Sequence, residues 1–228
     1  MLKLLDRLSR ESASAYARRV LIYNIVHMKL EPGEQLQEKE LAECMHLSRT
    51  PLHEAVLDLK RSQIVEIVPH HGTYVACLEE KPIEDTRYLR YVFESALVER
   101  ACDMRNAEIM ERLLENVARQ KIVGTRNRDE FLTLDEDFHG LIYDMCDCSA
   151  IYRVIREHSM HFNRMRFISF DLSNAPELIE EHDAMVRAID AGEAAVARAM
   201  CERHLTRAIS DYDEIRARYP QYFRPGKR

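Results

Sequence analysis

The side chains best suited to hold a metal in this 228-residue chain are one aspartate and three histidines: Asp135, His139, His182 and His204. Neutral imidazole nitrogens with one carboxylate oxygen form a donor set for a divalent ion such as zinc. The first two lie in TLDEDFHGLIYDM, Thr133 to Met145, where a helical period gathers Phe131, Leu134, Leu141, Ile142 and Met145 around Phe138. At about 100° per residue, Asp135 and His139 fall together on one flank of that face, about 60° and 100° from Phe138. Glu136 and Asp137 fall outside it and read as solvating charges.

An i, i+4 pair of this kind describes a buried hydrogen bond as well as a metal site. His182 and His204 add weight, because each replaces an apolar residue in an inward stripe. The first stripe is Leu178, Met185, Val186 and Ile189, and the second includes Ala197, Met200 and Cys201. A turn near Gly192 makes their helices antiparallel neighbours. Their distances from that turn differ by about four residues, or about 6 Å, which helix tilt and ring reach must absorb. Spacing alone leaves a metal site and a hydrogen-bonded core as equal alternatives.

Such a quartet requires a rigid helical scaffold, and the composition supplies one: 46% hydrophobic residues, 6 glycines, 7 prolines and no tryptophan. Beyond residue 85 the chain is helical in period to about residue 218, with breaks near Asn106, Gly124, Cys148, residues 173–176 and Gly192. These breaks predict an antiparallel bundle of about six helices. Residues 79–84, within LEEKPIED, read as a linker. Residues 1–78 hold three helical segments, SAYARRVLIYNIVHMKL, LQEKELAECMHL and SRTPLHEAVLDLKR, the third with the inward stripe Leu52, Ala55, Val56 and Leu59. Two β-branched runs separated by HHG follow, a hairpin signal in which Gly72 supplies the turn. Three helices and a hairpin are the order of a winged helix-turn-helix, a module for DNA or for protein docking. The chain is thus expected to be mainly α, with a second, helical domain over residues 85–228.

Net charge is −6, while residues 1–78 carry ten cations and ten carboxylates. A broad cationic coat is therefore excluded, and any DNA contact rests on Arg49, Thr50, His53 and Lys60, which face away from the third helix's core stripe. The six cysteines contain no CxxC pair and read as reduced thiols in a cytoplasm. No apolar run approaches the roughly 20 residues of a membrane span, and charges interrupt the N-terminus too early for a secretory signal.

Two stretches carry a family resemblance. LEPGEQLQEKELAECMHLSRTPLHEAVLDLKRSQIVEIVPHHGTYV resembles the DNA-binding domain of GntR-family bacterial transcription regulators, with its PG turn, LAE helix and SRTP-led recognition helix. RYVFESALVERA, LDEDFH, EEHDAMVRAI and MCERHL resemble the FadR-type effector domain called FCD. The resemblance implies a ligand-responsive, homodimeric regulator of double-stranded operator DNA, and a repressor of a catabolic operon. It makes Arg49 and Thr50 base and phosphate contacts, and His71 and Gly72 the wing tip. His53 departs from the family, which has arginine there, so this chain is expected to read a different base or to bind more weakly.

The same resemblance makes Asp135, His139, His182 and His204 ligands of a divalent metal, zinc first, with nickel or manganese as alternatives. It implies a small carboxylate or sugar-acid effector. Arg90, Arg164, Arg166 and His161 are the candidate effector residues, against the alternative that each arginine is an exposed solubilising charge. Two other readings stand beside this one: a metal-dependent hydrolase with a docking domain, and a metal-free relative holding an apolar effector.

Overall fold

The computed structural model describes residues 2–170, 175–207 and 212–224. Helix α1 (Ala13–Val26) starts where the Ser12 side chain accepts from the Ala15 amide, and buries Ala17, Val20, Leu21 and Ile25. Helices α2 (Glu38–Cys44) and α3 (Arg49–Arg61) follow, and α3 buries Leu52, Ala55, Val56 and Leu59, the stripe its period predicts. Strands β1 (Val65–Val68) and β2 (Gly72–Val75) pair antiparallel, with Val65 opposite Val75 and Val68 opposite Gly72. Gly72 has φ +128°, which requires glycine, whereas the Gln35 Nε2 that a Cβ there would meet at 2.6 Å ends a flexible side chain able to move aside.

The stretch expected to be a linker, 79–84, is instead largely the first turn of α4 (Glu80–Met104). Its charges face solvent, and Pro82 sits within the first turn, where a missing N–H leaves no helical bond unmade. Then come α5 (Ala107–Val123), α6 (Arg128–Met145), α7 (Ser149–His158), α8 (Met160–Ser169), α9 (Ala175–Ala191), α10 (Ala194–Arg207) and α11 (Tyr212–Arg218). Eight helices are thus described after residue 79, where sequence breaks suggested about six. Ser159 divides α7 from α8 without a glycine or proline to announce it, and α11 follows residues outside the described set. The break expected at residues 173–176 likewise lies partly outside the described residues. The core of this part joins Val98 and Ala101, Leu113 and Val117, Phe138 and Ile142, Met185 and Ile189, and Ala197 and Cys201.

Helix α8 runs along the seam between the two parts. Met160 packs into the N-terminal core, while Phe162 and Met165 join Leu78, Ile83, Tyr212, Ile215 and Phe223 in a separate cluster. Leu78 N donates to Tyr222 O at 2.7 Å, so the described C-terminal segment lies against the stretch that connects β2 to α4.

Candidate metal centre and DNA-facing surface

Asp135 and His139 project from successive turns of α6, His182 from α9 and His204 from α10, and all four are buried. Gly192, at φ +72°, turns the chain between α9 and α10. The axial offset between the last two histidines is absorbed, because His182 Nε2 lies 3.3 Å from His204 Nε2. Asp135 Oδ1 lies 3.8 Å from His182 Nε2, and Asp135 Oδ2 lies 3.6 Å from His139 Nε2. One ligand atom from each residue falls within 4.8 Å of all the others.

The opposite ring nitrogens are held from outside the quartet. Asn116 Nδ2 donates to the Leu134 carbonyl, Gln120 Nε2 donates to Asn116 Oδ1, and Gln120 Oε1 is left to accept from His182 Nδ1 at 2.8 Å. That chain starts at a backbone carbonyl, so it fixes the amide orientations and puts the His182 proton on Nδ1. Glu181 Oε2 lies 3.1 Å from His204 Nδ1 and imposes the same tautomer. Glu94 Oε2 lies 2.7 Å from His139 Nδ1, and neither ring nitrogen of His139 makes a hydrogen bond of good geometry. Three Nε2 atoms therefore converge, those of His182 and His204 3.3 Å apart, a spacing that one shared proton or an ion between them satisfies. Three imidazoles held from behind beside one carboxylate are the donor set of a divalent cation, so the residues present fit one.

Protonation states agree with this. Burial, then the Arg90 cation, pull His139 down to about 4, and burial and His204 hold His182 well below the usual imidazole range. Burial alone would raise the Asp135 carboxyl, but Arg166 and the three histidines hold it well below its ordinary value. At neutral pH the quartet is one carboxylate with neutral imidazoles at His139 and His182, the forms a metal ligand needs.

The candidate effector residues separate into two groups. Arg166 contacts Asp135 Oδ2, and Arg90 holds Glu94 at 2.8 Å. Both guanidinium groups sit over Phe162, 5.3 and 5.8 Å from its centroid. With Tyr152, Ser159 and Asn163 they line a void of about 10 Å³, room for one water molecule. Arg164 and His161 are not brought there. Both are buried at the seam, where Arg164 Nη2 donates to the Ala76 carbonyl at 2.6 Å and His161 Nε2 lies 3.1 Å from the Gln63 carbonyl. None of Arg90, Arg164 and Arg166 is an exposed solubilising charge. Glu136 is not a bare solvating charge either, since it accepts from Asn163 at 2.7 Å and from Arg156 at 3.3 Å.

On the N-terminal part, Arg49, Thr50, His53 and Lys60 are all exposed along α3, and His71 and Gly72 form the hairpin tip. His53 is not free to swing, because its Nδ1 lies 3.0 Å from Glu38 Oε2 and Thr73 Oγ1 donates to the other oxygen of that carboxylate. Sequence reasoning missed Gln120, Asn116 and Glu181. One signal was available: Gln120 continues the buried stripe Met110, Leu113 and Val117 on α5, a polar residue in an apolar position.

Residues 15–75 match the family described as bacterial regulatory proteins, gntR family, and residues 85–207 match the FCD domain. The HTH-type transcriptional repressor RspR of Escherichia coli is 30% identical, covering 90% of this chain and 91% of its own. The probable D-xylose utilization operon transcriptional repressor of Paenarthrobacter nicotinovorans is 22% identical, covering 87% and 88%. Among solved structures, E. coli McbR/YncC superposes with a TM-score of 0.76 at 18% identity, over 92% of this chain and 99% of that one. A GntR regulator from Rhodococcus sp. RHA1 gives 0.75 at 18%, over 92% and 100%. At such identities the structural likeness speaks for the fold. No helix among the described residues is long and apolar enough to cross a membrane.

Proposed function

We propose, from the premise that this chain belongs to the GntR family of bacterial transcription regulators carrying an FCD domain, that it is a metal-dependent repressor released from its operator by a small organic acid. That it is a DNA-binding transcription regulator follows from the family, and its relatives give the hydrolase alternative no support. The remaining features are our reading: a homodimer in the cytoplasm, a pseudo-palindromic operator of a catabolic gene set, and a zinc ion, with nickel or manganese as alternatives.

The observation that carries it is the convergence of the His182 and His204 Nε2 atoms on Asp135 and His139, each of the two rings held by its own acceptor at Nδ1. Asp135, His139, His182 and His204 would hold the ion, which when bound supplies an electrophilic position for an effector carboxylate or hydroxyl. Arg90 and Arg166 stand at the adjoining void and would bind the acid's remaining oxygens. Asp135 is the link, because the arginine that would receive the effector already contacts it. Metal analysis of purified protein tests the reading. About one divalent ion per chain is expected, and a chain that stays metal-free after zinc incubation overturns it.

On DNA, Arg49 and Thr50 at the start of α3, with His53 and Lys60 behind them and His71 and Gly72 on the wing, make the contacts. With its Nδ1–H given to Glu38, a neutral His53 offers the groove a lone pair. It would accept from the exocyclic amine of adenine or cytosine, whereas arginine donates to guanine. Arg49→Ala should abolish specific binding in a gel shift on the operator of its own promoter. His53→Arg should favour a guanine half-site by roughly 1–3 kcal/mol. Unchanged affinity of Arg49→Ala would defeat the assignment.

A further inference from the structure

A second space adjoins the effector void. Between α1 and helices α6, α7 and α8 lies a cleft of about 460 Å³, within the size range of small-molecule sites and at a domain boundary where such sites concentrate. Glu136, Arg156, Asn163 and Arg166 line both the cleft and the 10 Å³ void, so the two share a wall. Beyond those four the lining is mixed: Ile22 and Val26 of α1, Leu5 before it, Leu132 of α6 and Met160 of α8 are apolar, and Tyr23, His27 and Thr133 lie among them.

The charges around it are largely committed. Arg18 pairs with Asp58 at 2.5 Å and Arg19 with Glu11 at 2.8 Å. Glu157 and Arg153 stand a turn apart on the exposed side of α7. A ligand in this cleft therefore meets Arg166 at the end that adjoins the metal centre, Arg153 on the exposed rim, and apolar contacts whose far wall belongs to the winged helix.

We infer that the effector is a monocarboxylic acid with a bulky apolar body, its head at Arg166 beside the metal centre and its body in this cleft against Val26 and Ile22. The inference rests on the metal-centre reading and adds the ligand class and the route to the DNA-binding part. A compact sugar acid would leave the apolar wall wet. A body of the proposed kind becomes part of the contact between the two parts, so occupancy acts on the winged helix without any relay.

The test is calorimetric titration of the zinc-loaded full chain with acetate and with phenylacetate. Phenylacetate should bind on the order of 10–100-fold more tightly, from burial of the ring against the cleft wall. Val26→Gln should weaken phenylacetate at least about fivefold and leave acetate unchanged, since Val26 lines the cleft away from the metal ligands. His182→Ala should abolish binding of both acids. Equal affinities for the two acids, or a Val26→Gln variant that binds phenylacetate as wild type does, overturn the cleft assignment. In those cases, loss of acetate binding in His182→Ala still separates the metal-centre reading from it. If neither acid binds zinc-loaded wild type, both readings fall.

Discussion

Two buried polar clusters lie on opposite faces of α8, and they are built differently. At the quartet, Gln120, Glu181 and Glu94 each face one histidine, and Arg90 and Arg166 balance the carboxylates. At the seam, Arg164 is the largest fully buried side chain, yet only its Nη2 finds a partner, leaving Nε and Nη1 without one. His161 Nδ1 is likewise buried and unpaired. A completed network specifies one arrangement, whereas an incomplete one costs free energy in the state that leaves it incomplete. The quartet leaves His139 Nε2 open and would be a fixed point once an ion fills it, whereas the seam is a place where another arrangement is within reach. Arg166 and Arg164, two residues apart on one short helix, tie the first to the second.

The largest effect should come from breaking the fixed point. His182→Ala removes a ligand, the Gln120 contact and the ring stacked 4.0 Å from Phe138. With zinc at about a thousand times its dissociation constant, the loss should be about 4 kcal/mol in unfolding free energy, and excess chelator should bring wild type down similarly. Melting that is indifferent to chelator would refute the contrast.

Acid should sharpen it from the other side. Burial, then the Arg164 cation, pull His161 from 6.5 to about 4. The unfolded imidazole titrates near 6.5, so the unfolded chain takes up this proton first. The contribution is complete above that pH and is lost as pH falls towards 4. Denaturant melts of wild type and His161→Gln between pH 7 and 4.5 should differ in slope, by roughly 1–3 kcal/mol over the range. Parallel curves would show that the seam does not resist protonation.

The smallest effect is the most diagnostic. Arg164→Met fills the same space without an unpaired cation, and should change stability by no more than about 1 kcal/mol, in the stabilising direction. A loss above about 3 kcal/mol would mean that the seam depends on this arginine as the quartet depends on its histidines.

Much of the quartet was legible because His182 and His204 each break an apolar stripe and Asp135 and His139 flank a third, and the three stripes are readable within single helices. The α3 face was legible for the same reason. Its companions were not, because Gln120 and His182 are joined across 62 residues and periodicity carries no information about partners on other helices. Arg164 and His161, grouped with Arg166 as candidates, pack at the seam instead. Side-chain type permits either face of α8 to turn towards the quartet, and only packing decides. The start of α4 was hidden by charges that belong to its solvent face, and the break at Ser159 by the lack of any special residue.

The bond from Leu78 N to Tyr222 O joins the connection after the wing to the described C-terminal segment, and Arg224 reaches both Glu66 on β1 and Glu79. This has a bearing on biogenesis. Domains fold as they leave the ribosome, N-terminal first, so the winged helix is complete long before the residues that clamp it to the bundle have been made. The seam is a contact of very high sequence separation and closes last, after the bundle has formed. A nascent chain therefore passes through a stage in which its DNA-reading surface is finished and unrestrained, and that stage lasts until Tyr222 and Arg224 have been made.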